Sequence, residues 1–170
     1  MKTVKYCLPF FLFVAAATSL NAQQKDNSFP KVQGYIGVVH PIVTLFSNET
    51  VYNFNGSYTV GFPTGINIIK TEHFGYSLEV VPFINSSNGT SKTSNVLFHP
   101  GVMFRYKHGF TWINRLAIET SGRYGITPIF NKVILKSKNN TIAGAIPIPI
   151  RFGNNRKPSI GAGIQVAIVF

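Results

Sequence analysis

The sequence predicts an all-β fold: a closed, antiparallel up-and-down barrel of about eight strands that cross a membrane. Three observations carry this. First, the final stretch Ser159 to Phe170 alternates strictly. Ile160, Ala162, Ile164, Val166, Ile168 and Phe170 share one apolar face, and Gly161, Gly163, Gln165, Ala167 and Val169 share the other, small or polar until its last member. A strand of about ten residues with this pattern matches the spanning unit of a transmembrane barrel. Second, from Lys31 onward eight strand-like runs are separated by Asn/Ser/Gly-rich breaks, and no helical 3.6-residue stripe competes with them. Third, only 12% of residues are charged, half the usual share, while 14% are aromatic. Beyond the N-terminus no apolar run is long enough for a spanning helix, so contact with lipid would have to be made by strands.

Taken in order, residues 1–22 read as a cleaved secretory signal peptide. Lys2 and Lys5 form its positive start, Leu8 to Ala17 its apolar core, and Ala22–Gln23 the expected cut. Residues 23–30 are a polar lead-in, and residues 31–170 form the barrel domain. The only cysteine, Cys7, falls in the leader, so the mature chain would have neither disulfide nor thiolate site.

The eight runs are about 32–46, 57–69, 73–85, 96–107, 109–120, 123–136, 141–152 and 159–170. In 57–69, Tyr58, Val60, Phe62, Thr64, Ile66 and Ile68 oppose Gly61, Gly65 and Asn67. In 73–85, Phe74, Tyr76, Leu78, Val80 and Ile84 oppose Gly75, Ser77 and Glu79. In 96–107, Val96, Phe98, Val102, Phe104 and Tyr106 oppose His99, Arg105 and Lys107. In 109–120, Phe110, Trp112, Leu116 and Ile118 oppose Thr111, Arg115 and Glu119. In 141–152, five apolar residues oppose Ala143, Ala145 and Arg151. Runs 32–46 and 123–136 are mixed, and their faces stay open. Asn48 to Gly56 and Ser86 to Asn95 read as long external loops, and Thr71-Glu72 and Lys107-His108-Gly109 as tight periplasmic turns. Seven prolines fall inside the runs, each implying a bulge or a break because proline cannot donate to a ladder.

The net charge is +11, or +9 once Lys2 and Lys5 leave with the leader. The basic residues are scattered, which argues against nucleic acid and for anionic lipid headgroups or polysaccharide. The pleat turns Glu79, Arg105, Arg115 and Glu119 inward. Two carboxylates and two guanidiniums in a narrow lumen are expected to pair as a structural plug, with Glu119 and Arg105 among the pairs. No metal spacing and no phosphate loop occurs, and no cofactor is expected. His40, His73, His99 and His108 lack the sequence context of a lipid A-modifying enzyme, so no catalytic residue is assigned.

Leader, eight amphipathic runs and the terminal Phe170 together resemble the small outer-membrane β-barrel family of Gram-negative bacteria, the OmpA/OmpX-like type. The resemblance covers residues 31–170. It implies an outer-membrane location, contact with lipid and lipopolysaccharide, and insertion with periplasmic chaperones and the barrel-assembly machinery, for which Phe170 would be the signal. A monomer is expected. Family members differ in activity, so function is read from the residues: a non-enzymatic barrel with surface loops for envelope structure or adhesion. The alternatives are a narrow channel or transport accessory, and a soluble secreted lipocalin-like barrel.

Overall fold

Alternating sequences bury one face of a strand and expose the other, as the strands Phe74–Ser87, Phe110–Glu119 and Ser159–Val169 do. The computed structural model describes residues 28–170. The expected signal peptide, its expected cut and most of the expected lead-in therefore lie outside the described residues. Eleven strands form one antiparallel sheet: β1 (Lys31–Phe46), β2 (Thr50–Tyr52), β3 (Ser57–Gly61), β4 (Thr64–Ile69), β5 (Phe74–Ser87), β6 (Thr90–Arg105), β7 (Phe110–Glu119), β8 (Arg123–Lys136), β9 (Thr141–Pro147), β10 (Ile150–Gly153) and β11 (Ser159–Val169). The sheet returns on itself. β1 pairs with β11 from Tyr35↔Val169 to Phe46↔Ser159, and Gly34 and Phe170 extend the seam with two backbone hydrogen bonds of 2.9 Å. The result is a ring with an inside and an outside.

Eleven strands stand where about eight runs are expected, and proline explains most of the excess. Run 57–69 is split at Phe62-Pro63 into β3 and β4, both of which pair with β1 and β5. Run 141–152 is split around Ile148-Pro149 into β9 and β10, both of which pair with β8 and β11. The third addition is β2, a short strand that folds back onto β1 inside the expected loop Asn48 to Gly56. The break at Ser86 to Asn95 is also not a long loop. β5 and β6 continue to Ser87↔Thr90 and turn at Asn88-Gly89, both with positive φ, the conformation of a tight hairpin. The tight turns at Thr71-Glu72 and Lys107–Gly109 form as expected, the latter as a 3-10 turn.

The two runs of mixed pattern have a common cause. β1 shifts register between Pro41 and Val43, and β8 between Val133 and Leu135. A bulge inserts one residue and flips the parity of all that follow. Thus Ile36 and Val38 face out before the shift and Leu45 after it, while Ile134 and Leu135 are both exposed. A single alternation cannot describe either run.

Inside the ring, two small apolar clusters flank a polar layer. Val39, Val81, Leu97 and Ala117, with Phe83 against them, lie toward the loop end. Met103, Ile113, Ile129 and Ala145 lie toward the end where the described residues begin and finish, the terminal end. Outside, every face carries large exposed apolar side chains, among them Ile36, Ile66, Leu78, Phe98, Leu116, Ile126, Ile146 and Ile164.

Candidate functional site

The interior charges sit where the pleat sends them, but only some of the expected partners meet. Glu79 on β5 is the centre. Its Oε1 lies 2.7 Å from an Arg115 guanidinium nitrogen and 3.0 Å from His99 Nδ1. Its Oε2 accepts a hydrogen bond from the Tyr35 hydroxyl at 3.0 Å. Glu79, Arg115 and His99 are all nearly sealed from solvent, with side chains 3–4% exposed. Arg115 also donates to Tyr35 Oη and to Ser77 Oγ, both at 2.8 Å, and Ser77 donates to Asn67 Oδ1 at 2.8 Å. Four strands thus converge on one carboxylate, as a buried charge requires.

Two glycines make the room. A Cβ on Gly65 would strike the Tyr35 ring and hydroxyl, and one on Gly101 would strike the Arg115 side chain. The small residues of the inward face are the space into which the long side chains of neighbouring strands fold.

A second ion pair lies toward the loops. Arg151 Nε meets Glu119 Oε1 at 2.6 Å, and Ser121 Oγ donates to the other carboxylate oxygen at 2.9 Å. Arg151 also donates to Thr127 Oγ1 at 3.0 Å, and Thr127 Oγ1 lies 2.9 Å from His99 Nε2. The two ion pairs are therefore one network, running from Asn67 through Glu79, His99 and Thr127 to Glu119. Since Thr127 accepts from Arg151, its own proton is free for His99 Nε2. The arrangement fits a neutral ring that donates from Nδ1 to Glu79.

Arg105 does not join. It pairs in register with Thr111 at the terminal end, while Glu119 lies opposite Leu97. Eight residues of strand separate Leu97 from Arg105, roughly 26 Å. The expected Glu119–Arg105 pair is thus replaced by Glu119–Arg151, and Arg105 donates instead to the Glu72 carbonyl at 3.2 Å. Sequence reasoning placed Arg151 and His99 on inward faces without assigning them to the cluster. It missed Tyr35, which lies in a bulged strand, and Thr127, which lies in the other.

Thr127, His99 and Glu79 are connected in the order of a nucleophile, a base and its orienting carboxylate. The surroundings favour a structural role for this line. Thr127 is 2% exposed, its oxygen already accepts from a guanidinium, and the cavity beside it, bounded by Val39, Val81 and Leu97, holds only about 70 Å³. Such a network holds charge and fixes neighbouring strands. Among the described residues, no group of three or more His, Cys, Asp or Glu side chains could hold a metal ion.

The outer surface has its own pattern. Phe74, Tyr76, Phe104 and Trp112 form a chain of rings across β5 to β7 near the terminal end, with centroids 5.2–6.0 Å apart. Tyr106, Phe110 and Phe130 continue it at 5.7 and 6.4 Å. Near the loop end, Tyr124 faces Phe152 at 6.3 Å and Phe54 faces Tyr58 at 5.2 Å.

No protein-family model matches the chain, and no curated protein matches it. Among solved structures it is similar to one from the de novo design of transmembrane β-barrels. That likeness has a TM-score of 0.54 and 10% identity over 85% of this chain and 99% of the other. It is also similar to the solution NMR structure of the de novo designed TMB2.3, with a TM-score of 0.51 and 8% identity over 85% and 96% of the two chains. At these identities the likeness is one of fold alone.

Proposed function

We propose that the chain is an integral membrane β-barrel of eight staves from a bacterial outer membrane, and that its role is non-enzymatic. β3 with β4 makes one stave, β9 with β10 another, and β2 is an addition to the loop end. The observation that carries this is the outward face. A ring whose exterior exposes large apolar side chains on every stave, while Glu79, Arg115, Arg123 and Arg151 are buried inside, inverts the arrangement water would select. The rows of aromatic rings near both ends suit the two interfaces of a bilayer. The likeness to designed transmembrane barrels supports the same fold.

In this reading the ionic network is a plug. It ties β1, β4, β5, β6, β7, β8 and β10 together across the lumen and leaves no wide path for solutes. The loop end, with β2 and the hairpins, would face outward and serve envelope structure or adhesion. A second reading, a narrow channel or transport accessory, is favoured by the open cavities on both sides of the network, about 260 Å³ at the loop end and 460 Å³ at the terminal end. Planar-bilayer recordings separate the two: the plugged barrel gives no unitary conductance steps, and reproducible steps would establish the channel. A chain that stays monodisperse in water without detergent would instead be a soluble lipocalin-like barrel.

A further inference from the structure

The terminal end of the ring is a funnel with an unpaired donor near its tip. Its wide part is the cavity of about 460 Å³, where Arg105 and Lys136 bring positive charge and, among the described residues, no carboxylate lines the wall. Its narrow part is a void of about 30 Å³ that shares Asn67, Ile113, Asn131 and Val169 with the wide part, so the two adjoin. That is roughly twice the room one water requires. Arg115 lines the narrow part, together with Asn67, Asn131 and Gln165, whose side chains end in amides. Arg115 is 3% exposed, and its Nε has no hydrogen-bond partner among the described residues. A buried N–H left without a partner is costly, and native structures rarely tolerate one. The amide of Asn67 is also oriented. Its Oδ1 is occupied by the Ser77 hydroxyl, which leaves its Nδ2 to donate.

We propose that this funnel is a binding site for a small monovalent anion of halide size, held at the tip by the Arg115 Nε–H and the amides of Asn67, Asn131 and Gln165. The site is built of donors, not of surface lysines. Glu79 cannot oppose the anion strongly, because its charge is matched by Arg115 and its oxygens are taken by Tyr35 and His99. Arg105 and Lys136 supply the attraction at the mouth, since a positively lined cleft with low-dielectric walls concentrates anions. The bound anion would complete the hydrogen bonding of Arg115 and so stiffen the network above it. This goes beyond the envelope role and does not depend on whether the outer face meets lipid, because the funnel belongs to the inside of the ring.

The test is the ³⁵Cl NMR line width of the purified protein in a non-ionic detergent with chloride as the only halide. A protein-dependent excess width that falls when bromide is added is expected. Gln165→Leu removes the amide and leaves Glu79, Arg115 and His99 in place. It should at least halve the excess width, as should Asn131→Leu, with circular dichroism confirming that each variant is folded. Arg105→Gln with Lys136→Gln should weaken chloride several-fold by loss of attraction. If the wild type shows no excess width, the void holds water and the proposal is wrong. It is equally wrong if the excess persists unchanged in a folded Gln165→Leu or Asn131→Leu variant, because chloride would then be on surface cations.

Discussion

Replacing Glu79 by Gln keeps a side chain of the same shape but removes the acidic partner of Arg115. Both groups are about 3% exposed, so the guanidinium left behind cannot recover its charge balance from water. Breaking a buried pair from one side costs about 3–5 kcal/mol. Arg115→Met strands the carboxylate instead, with two neutral donors at 3.0 Å as its remaining partners, and should cost a similar amount. The double variant removes both charges and should cost little more than either single one. The expected coupling is therefore about 3 kcal/mol, a large part of the roughly 5–15 kcal/mol that holds a domain folded. The cycle is read by urea unfolding in detergent micelles, followed by the fluorescence of Trp112. Glu119 with Arg105 is the internal control. Their places in the register put them at opposite ends of the ring, so their effects should add within about 0.5 kcal/mol. Single variants that are harmless, with no coupling between Glu79 and Arg115, would mean that water solvates the network and the lumen is open.

Three further outcomes follow from the same geometry. Tyr35→Phe removes the hydroxyl that links Glu79 to Arg115 and should lower unfolding stability by about 1–2 kcal/mol, with the secondary-structure signal unchanged. Gly101→Ala places a methyl group against the Arg115 side chain and the Asn114 carbonyl, and should cost about 1–3 kcal/mol in the same unfolding assay. Ile164→Arg puts a charge at the middle of β11, on its exposed face. It should cost about 2–4 kcal/mol on refolding into lipid vesicles, and a variant that inserts as well as the wild type would refute a lipid-facing Ile164.

The faces of most strands were legible in the sequence because one residue alternates with the next, and nothing else is needed to send Glu79, His99, Arg115 and Arg151 inward. The faces of β1 and β8 were not, because each contains a bulge and a bulge leaves no reliable residue signature. That is why Tyr35 and Thr127, the links on either side of the Glu79–His99 contact, went unseen. The prolines announced breaks, and Pro63 and Pro149 sit at two of them. Pro82 and Pro128, by contrast, pair in register with Val96 and Asn114, so proline alone does not say where a strand ends. The choice of Arg105 as partner for Glu119 failed on distance, not on face. Counting register back from the turn at Lys107–Gly109 would have set Arg105 against Thr111 and Glu119 against Leu97, with about eight residues of strand between them. Side-chain reach across strands is short, so a shared face brings charges together only when the register does.

The solvent of the outer face decides between a membrane barrel and a soluble one, and one experiment reads it. The protein is expressed with its leader, the membranes are washed with alkaline carbonate, and the pellet is run on a gel with and without boiling. A membrane barrel stays in the pellet and migrates faster unboiled than boiled, because the closed ring survives detergent until heated. Release of the chain into the wash as a detergent-free monomer would contradict the membrane assignment and leave a soluble barrel in its place.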